Sequence, residues 1–492
     1  MKYLYGAAVQ GIQDFIFQTN KLKEIVGASD LVEEICTSVF AALLGKNVDL
    51  NSDKSAIVHA AGNIKYVFDD EEACRKMVRC FPMKVSQIAP GVTVSQSVVK
   101  YENDNDFPKA VKDLEKNLRI QRNKPVRYPM LGLMGVERSR NTGLPVCKIE
   151  EDKHLDAATY AKRCSVGNTV GKLCVKAFGE ESVKTKKLPY EISDLTGSND
   201  WIAVIHADGN GLGQIVQKIG TDAEQFKNFS QLLDKATVQA AVNAYNQVNS
   251  GIKSDVIPMR PIVLGGDDLT VICRADLAVP YVKCFINEFQ IQTQKELGNI
   301  LIDNKVFAGN INYLTACAGI AYVKSSFPFY YGYSLAESLC SYAKTDAKSE
   351  LNEGELPASC IMFHKVQDSF VDTYKEIVER ELKPQENITF SFGPYYLCSK
   401  TKRWTIDELI SKTDKFNTLE GNAIKSGLRN WMSLLHSNVE QADQFLKRLK
   451  EVSGAKTFLN EITDKNLMRN EMIVYPVYDM LAFHAINTQQ TK

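Results

Sequence analysis

Three aspartates are the residues of this chain best equipped for chemistry: Asp267 and Asp268, adjacent in Gly265-Gly266-Asp267-Asp268, and Asp208, in the run His206-Ala207-Asp208-Gly209. Magnesium takes hard oxygen ligands, keeps several waters, and needs only one or two carboxylates plus substrate phosphates to complete its shell. Asp208 and Asp267, on neighbouring strands, would supply that pair, with Asp268 placed to bind a second ion or orient its water. Two such ions activate an attacking hydroxyl and stabilise a leaving pyrophosphate, which is nucleotidyl-transfer chemistry. Consecutive strand residues point to opposite faces. Both carboxylates therefore reach one cation only if Asp267 and Asp268 sit at a tight turn.

The neighbouring residues suit the same chemistry. Gly265 and Gly266 leave space for a nucleotide close to the backbone, and Gly209, Gly211 and Gly213 open a strand-to-helix turn behind Asp208, where a helix N-terminus attracts phosphate. Lys344 and Lys348, four apart in AESLCSYAKTDAK, share one helix face and suit a triphosphate tail. Each piece alone has an ordinary explanation: a turn, a helix cap, a solvated face. Their order along the chain, strand-Asp, hairpin-GGDD, strand, lysine helix, is what gives them meaning together.

The elements that must position these residues occur twice. Residues 57–68 (IVHAAGNIKYVF) and 262–273 (IVLGGDDLTVIC) each read as strand, tight turn, strand. Upstream of each lies a strand running into a helix (3–17 and 201–216). Downstream of each comes a helix expected to end in Cys-Phe, then an alternating strand (92–101 and 314–324), then Phe-Pro and a further helix. The order approximates the ferredoxin-like palm, βααββαβ. The expected fold class is α+β: two palm domains of the nucleotide cyclase and polymerase type, an inserted linker domain and a helical C-terminal domain. The expected boundaries are 1–115 for a degenerate first palm, 116–195 for a basic insert, 196–365 for the catalytic second palm and 366–492 for the C-terminal domain. In the first palm Ala60-Ala61-Gly62-Asn63 replaces GGDD, and Ala8-Val9-Gln10-Gly11 offers no match for Asp208, so that repeat lacks metal ligands.

Between the repeats, residues 116–140 carry Lys116, Arg119, Arg122, Lys124, Arg127, Arg138 and Arg140 around Pro125, Tyr128, Pro129 and Gly135, against the single acid Glu137. A solvated face and a phosphate-contacting loop both fit this run. Cys147, His154, Cys164 and Cys174 follow without the paired spacing of a zinc site. Residues 366–383 and 405–455 show helical periodicity on either side of ITFSFGPYYL.

Composition narrows the function classes. Lys plus Arg equals Asp plus Glu, 59 against 59, so no global field draws nucleic acid or membrane, and any such contact must be local. No window approaches the roughly 18 to 20 apolar residues of a membrane span. The twelve cysteines are scattered, with Cys36, Cys273, Cys284 and Cys317 in apolar runs, as expected of reduced thiols in a cytoplasmic protein.

Residues 8–36 (AVQGIQDFIFQTNKLKEIVGASDLVEEIC), HADGNGLG, GGDD, the FPFYYGYSLAESLCSYAK segment and SCIMFHKVQDSF at 359–370 resemble the large polymerase-like subunit of type III CRISPR effector complexes, nearest the Cmr type, over about residues 1–370. The resemblance implies synthesis of cyclic oligoadenylates from ATP between two facing palms. Asp208, Asp267 and Asp268 would hold magnesium or manganese, Gly265 and Gly266 would line the nucleotide, and Lys344 and Lys348 would face phosphates. Guide RNA, target RNA and the complex's backbone subunits are the implied partners, and an oligomer is compatible with it. Two departures stand out. The chain starts at the palm and has no His-Asp dipeptide among its six histidines, so no DNase activity is expected, and the zinc ribbon between the palms is degenerate. Two readings remain open beside the oligoadenylate one: a cyclic dinucleotide synthase or mononucleotide cyclase of a stand-alone antiphage system, and a non-catalytic scaffold that binds RNA or nucleotide.

Overall fold

The computed structural model describes residues 1–45, 48–50, 52–60, 62–103, 106–124, 134–150, 152–168, 171–196, 200–219, 222–252, 254–349, 351–352, 354–368, 373–398, 403–469 and 471–487. Among them no helix is long and apolar enough to cross a membrane.

The first half is built on strands β1 (Lys2–Gln10), β2 (Ala56–Ala60), β3 (Asn63–Phe68) and β4 (Thr93–Tyr101), in the antiparallel order β2-β3-β1-β4. Helices α1 (Ile12–Ile16), α2 (Leu22–Glu34) and α3 (Phe40–Leu44) link β1 to β2, α4 (Glu71–Ile88) links β3 to β4, and α5 (Phe107–Arg122) follows. Along α4, Cys74, Met77, Phe81 and Val85 are buried at helical spacing, so the helix continues past Cys80-Phe81 rather than ending there. The Cys284-Phe285 pair of the second half likewise lies inside a helix.

Next come the hairpin β5 (Val146–Glu150) and β6 (Lys153–Asp156), then helices α6 (Ala157–Asn168), α7 (Lys172–Phe178) and α8 (Glu180–Thr185). Lys116, Arg119 and Arg122 of the basic run lie on α5, not in a loop, because Leu114 and Leu118 bury one face of that helix. The helix continues through the boundary expected at 115. Arg127, Pro125, Tyr128 and Pro129 lie outside the described residues, as does Ala61 of the first hairpin.

The second half repeats the plan. Strands β7 (Trp201–Gly209), β8 (Met259–Gly265), β9 (Asp268–Arg274) and β10 (Ala316–Lys324) take the order β10-β7-β9-β8, which reproduces β4-β1-β3-β2. Strand β11 (Cys360–Lys365) extends this sheet in parallel beside β10. The connecting helices are α9 (Leu212–Ile219), α10 (Ala223–Asn249), α11 (Ala278–Asp303) and α12 (Phe329–Lys348). β7 is central and buried along nearly its whole length, with side chains Ile202, Val204 and Ile205 fully covered. Such a strand is a rigid mount for a polar residue at its end.

The C-terminal region contains β12 (Ile388–Thr389), β13 (Tyr395–Tyr396), β14 (Met468–Arg469) and β15 (Met472–Val474), with helices α13 (Tyr374–Ile377), α14 (Ile406–Asp414), α15 (Leu419–Ser437), α16 (Val439–Val452), α17 (Lys456–Ile462) and α18 (Val477–Asn487). β13 pairs with β11, so this region is joined to the second sheet. The helix expected from 366 starts at Tyr374, because Val366 still follows the sheet (its N–H donates to Tyr322 O at 3.0 Å) and Thr373 with Glu376 forms a capping box. Ser369 and Phe370 lie outside the described residues. One continuous apolar core runs through both sheets and into these helices.

Candidate metal and nucleotide site

The three aspartates converge. One carboxylate oxygen from each of Asp208, Asp267 and Asp268 lies within 4.8 Å of the others, and among the described residues no other group of three or more His, Cys, Asp or Glu side chains is gathered this way. β8 and β9 meet with Gly265 paired to Asp268, leaving a two-residue loop of Gly266 and Asp267. Gly266 has φ 63°, in the left-handed region where a side chain costs energy. The turn lifts Asp267 off the strand alternation, so both neighbouring acids face one point. Asp208 enters from β7, one step beyond the pair Ala207↔Leu269.

Gly209 is explained by the same cluster. A Cβ there would lie 2.9 Å from Asp267 Cβ, so the absent side chain is the space in which Asp267 sits. Gly211, at φ 86°, opens the turn into α9, and a Cβ on it would strike Phe307 and Leu356. Gly213 falls inside α9 rather than in the turn.

The electrostatics are strained in a particular direction. Burial, then the Asp268 and Asp208 charges, push the Asp267 carboxyl up to about 8. Burial, then Asp208, push Asp268 up to about 7, although the Lys344 ammonium pulls the other way. Lys344 ion-pairs Asp208 and donates to Gly209 O at 2.8 Å. Burial works against that ammonium, but Asp208 more than offsets it and the lysine is raised above its usual range. His206, two residues before Asp208 on the same face, is lowered to about 4 by burial, so it is neutral at pH 7. Three acids close together with one cation form a donor set short of positive charge, and an oxygen-seeking divalent ion fits it. Lys348 is one turn beyond Lys344, exposed at the end of α12.

Beside the acids lies a cavity of about 360 Å³ between the two halves. Gln10, Gln13, Asp14 and Arg122 line it from the first half, and His206, Asp268, Thr270 and Tyr333 from the second. Gln13 donates to Tyr333 Oη at 2.7 Å, Phe17 stacks on Tyr333 at 4.7 Å, and Ser29 donates to Ile262 O. These contacts fix one sheet against the other at the rim.

Sequence reasoning missed the residues that brace the turn. Lys176 on α7 donates to Leu264 O and to Asp234 Oδ1, both at 3.1 Å. Asp234 Oδ1 accepts the Gly266 N–H at 3.3 Å, and Thr237 Oγ1 donates to Gly266 O at 2.6 Å. Asp234 and Thr237 lie on one face of α10 at i and i+3. That spacing is visible in the sequence, but nothing local connects it to a turn some thirty residues away.

The cysteines of the insert are spread out. Cys147 and Cys164 are exposed, Cys174 is buried, and His154 pairs with Glu137 at 2.6 Å.

Residues 201–352 match the family described as Cas10/Cmr2, second palm domain. No curated protein matches the chain in sequence. Among solved structures, the chain aligns over 100% of its length with 70% of a chain in the Csm1-Csm4 cassette in complex with cA4, at 13% identity and a TM-score of 0.60. The apo Csm1-Csm4 cassette gives 14% identity and 0.53, and the cassette with one ATP gives 14% and 0.52, with the same coverage. At such identities the likeness is one of fold. The chain is Cas10-like: its residues 201–352 form a second palm domain of the Cas10/Cmr2 family, within a fold shared with the Csm1-Csm4 cassette structures.

Proposed function

We propose that this protein is a nucleotidyltransferase that joins ATP-derived adenylates into cyclic oligoadenylates. The observation that carries the reading is the position of the Asp208, Asp267 and Asp268 cluster at the edge of the inter-sheet cavity. In it, Asp208, Asp267 and Asp268 hold magnesium or manganese, which when bound activates a 3′-hydroxyl and stabilises the leaving pyrophosphate. The chain's own residues do the rest. Gly209 keeps a side chain away from Asp267, Gly266 takes the left-handed turn beside the acids, and Gly211 sets the turn into α9. Lys344 is placed to exchange Asp208 for phosphate oxygens, and Lys348 extends that positive edge along α12. The first half contributes the opposite wall, which excludes water and holds the second nucleotide without metal ligands of its own.

The division into a degenerate first palm, an insert, a catalytic second palm and a C-terminal domain belongs to the same proposal. So does assembly with RNA and with other CRISPR subunits, of which the fold likeness to the Csm1-Csm4 cassette supports the subunits. Incubating the protein with each labelled nucleoside triphosphate and magnesium, then separating the products, tests the substrate. Cyclic adenylates are expected from ATP. Products from GTP alone would replace this reading with a cyclic dinucleotide synthase.

A further inference from the structure

A second cavity, of about 380 Å³, lies at the other end of the second sheet. In register, Trp201 at the start of β7 is opposite Lys324 at the end of β10, whereas Asp208 is opposite Cys317. Seven residue steps along the strand separate Trp201 from Asp208, on the order of 23 Å at the usual rise per residue. Lys365, at the end of β11, is therefore at the far end of the sheet from the aspartates.

The walls of this cavity divide by character. Phe390, Met432 and Leu481 are the larger apolar side chains of its lining, and Tyr478, also in the lining, accepts the Gln367 amide at 3.3 Å. Lys365 and Arg429 are the basic residues of that lining. The ammonium groups of Lys324 and Lys365 both lie over the Trp201 ring, at 4.6 and 4.7 Å from its centroid. Burial, then the Lys324 and Arg429 charges, lower the Lys365 pKa, the direction expected of cations held close together. The acid lining the cavity, Glu381, is already engaged by Arg380 at 2.7 Å. Among the described residues no ion pair joins Lys365 or Arg429 to a carboxylate. Holding like charges together beside apolar side chains costs stability, and a bound anion offsets that cost.

From this geometry we infer that the cavity bounded by β11, α15 and α18 binds a nucleotide unit, with its base against Phe390, Met432 and Leu481 and its phosphate between Lys365 and Arg429. A flat apolar ring joined to a phosphate matches both halves of the site, as cationic grooves with apolar or aromatic platforms do for single strands. The unit is supplied either by a free nucleotide or by an RNA strand. The inference does not rest on the function proposed above, because no residue is shared.

The test uses the full chain in chelator, which removes metal from the aspartate site. Fluorescence anisotropy is measured with a labelled single-stranded adenylate RNA and with labelled AMP. The charge-reversed variant, Lys365→Glu with Arg429→Glu, is expected to bind at least one of them about tenfold or more weakly, and for RNA to lose about 1.4 from the slope of log affinity against log salt. Loss for RNA alone identifies a strand as the source, and loss for AMP identifies a free nucleotide. The charge-retaining variant, Lys365→Arg with Arg429→Lys, is expected to keep most of the affinity. Equal binding by wild type and the charge-reversed variant for both probes overturns the inference, as does an equal loss in the charge-retaining variant.

Discussion

The two sheets carry the same hairpin with opposite contents. In the first, Ala60 pairs with Asn63 across a loop whose Gly62 has φ 79°; in the second, Gly265 pairs with Asp268 across Gly266 and Asp267. Ala8, opposite Asn63, occupies the place that Asp208 takes beside Asp268. The fold therefore forms without the acids, and where they occur they are a liability, since burial and mutual repulsion hold two of them above their usual range. Groups kept at such a cost support the catalytic role proposed for them, and the first sheet is the control that shows the fold does not require them.

Changes at the acids should break this contrast most. Asp208→Asn removes the proposed metal ligand that comes from the central strand and should lower product formation by about 10³-fold or more, several kcal/mol of transition-state stabilisation. Calorimetric titration with manganese should show weaker binding in the same variant.

Gly209→Ala should rank next. Its methyl meets Asp267 Cβ at 2.9 Å, so the hairpin must shift, at about 1 to 3 kcal/mol of stability and with a clear fall in turnover. Thermal melts with and without magnesium would separate the two effects.

The pH dependence sharpens the comparison. Asp267 and Asp268 keep protons in the folded, metal-free protein that the unfolded chain gives up near pH 4. The folded state then binds more protons than the unfolded one between about pH 4 and the folded values. Metal-free stability should fall as pH rises through that window. Magnesium should stabilise the protein more at pH 8 than at pH 6, as followed by denaturant midpoints. Asp267→Asn with Asp268→Asn should flatten both trends.

The smallest effect is expected in the first sheet. Asn63→Asp puts an acid in the place of Asp268 without its two companions. Melting temperature and product formation should stay close to wild type, within about 0.5 kcal/mol for stability.

The sequence made the carboxylates, the glycine turn and the duplicated hairpin legible because each is local: alternation, turn residues and order can be read within a few dozen residues. The parts it hid depend on distant contacts. By sequence Lys344 suits a phosphate contact, and in the structure it is held on Asp208, 136 positions away in chain numbering. Lys176, Asp234 and Thr237 are ordinary helix residues until the fold places them under Gly266. Cys-Phe reads locally as a helix end in both repeats, although the burial of Phe81 and Phe285 shows the core-facing stripe continuing. α13 starts later than helical spacing predicts because the apolar strand end at Val366 also fits that spacing.

The central claim is that one of two like sheets carries the chemistry through its aspartates. Its most direct test is product formation from labelled ATP with magnesium, comparing wild type with Asp267→Asn plus Asp268→Asn, both confirmed as folded. The account predicts cyclic oligoadenylates from wild type and none from the variant. Equal product from both would contradict it.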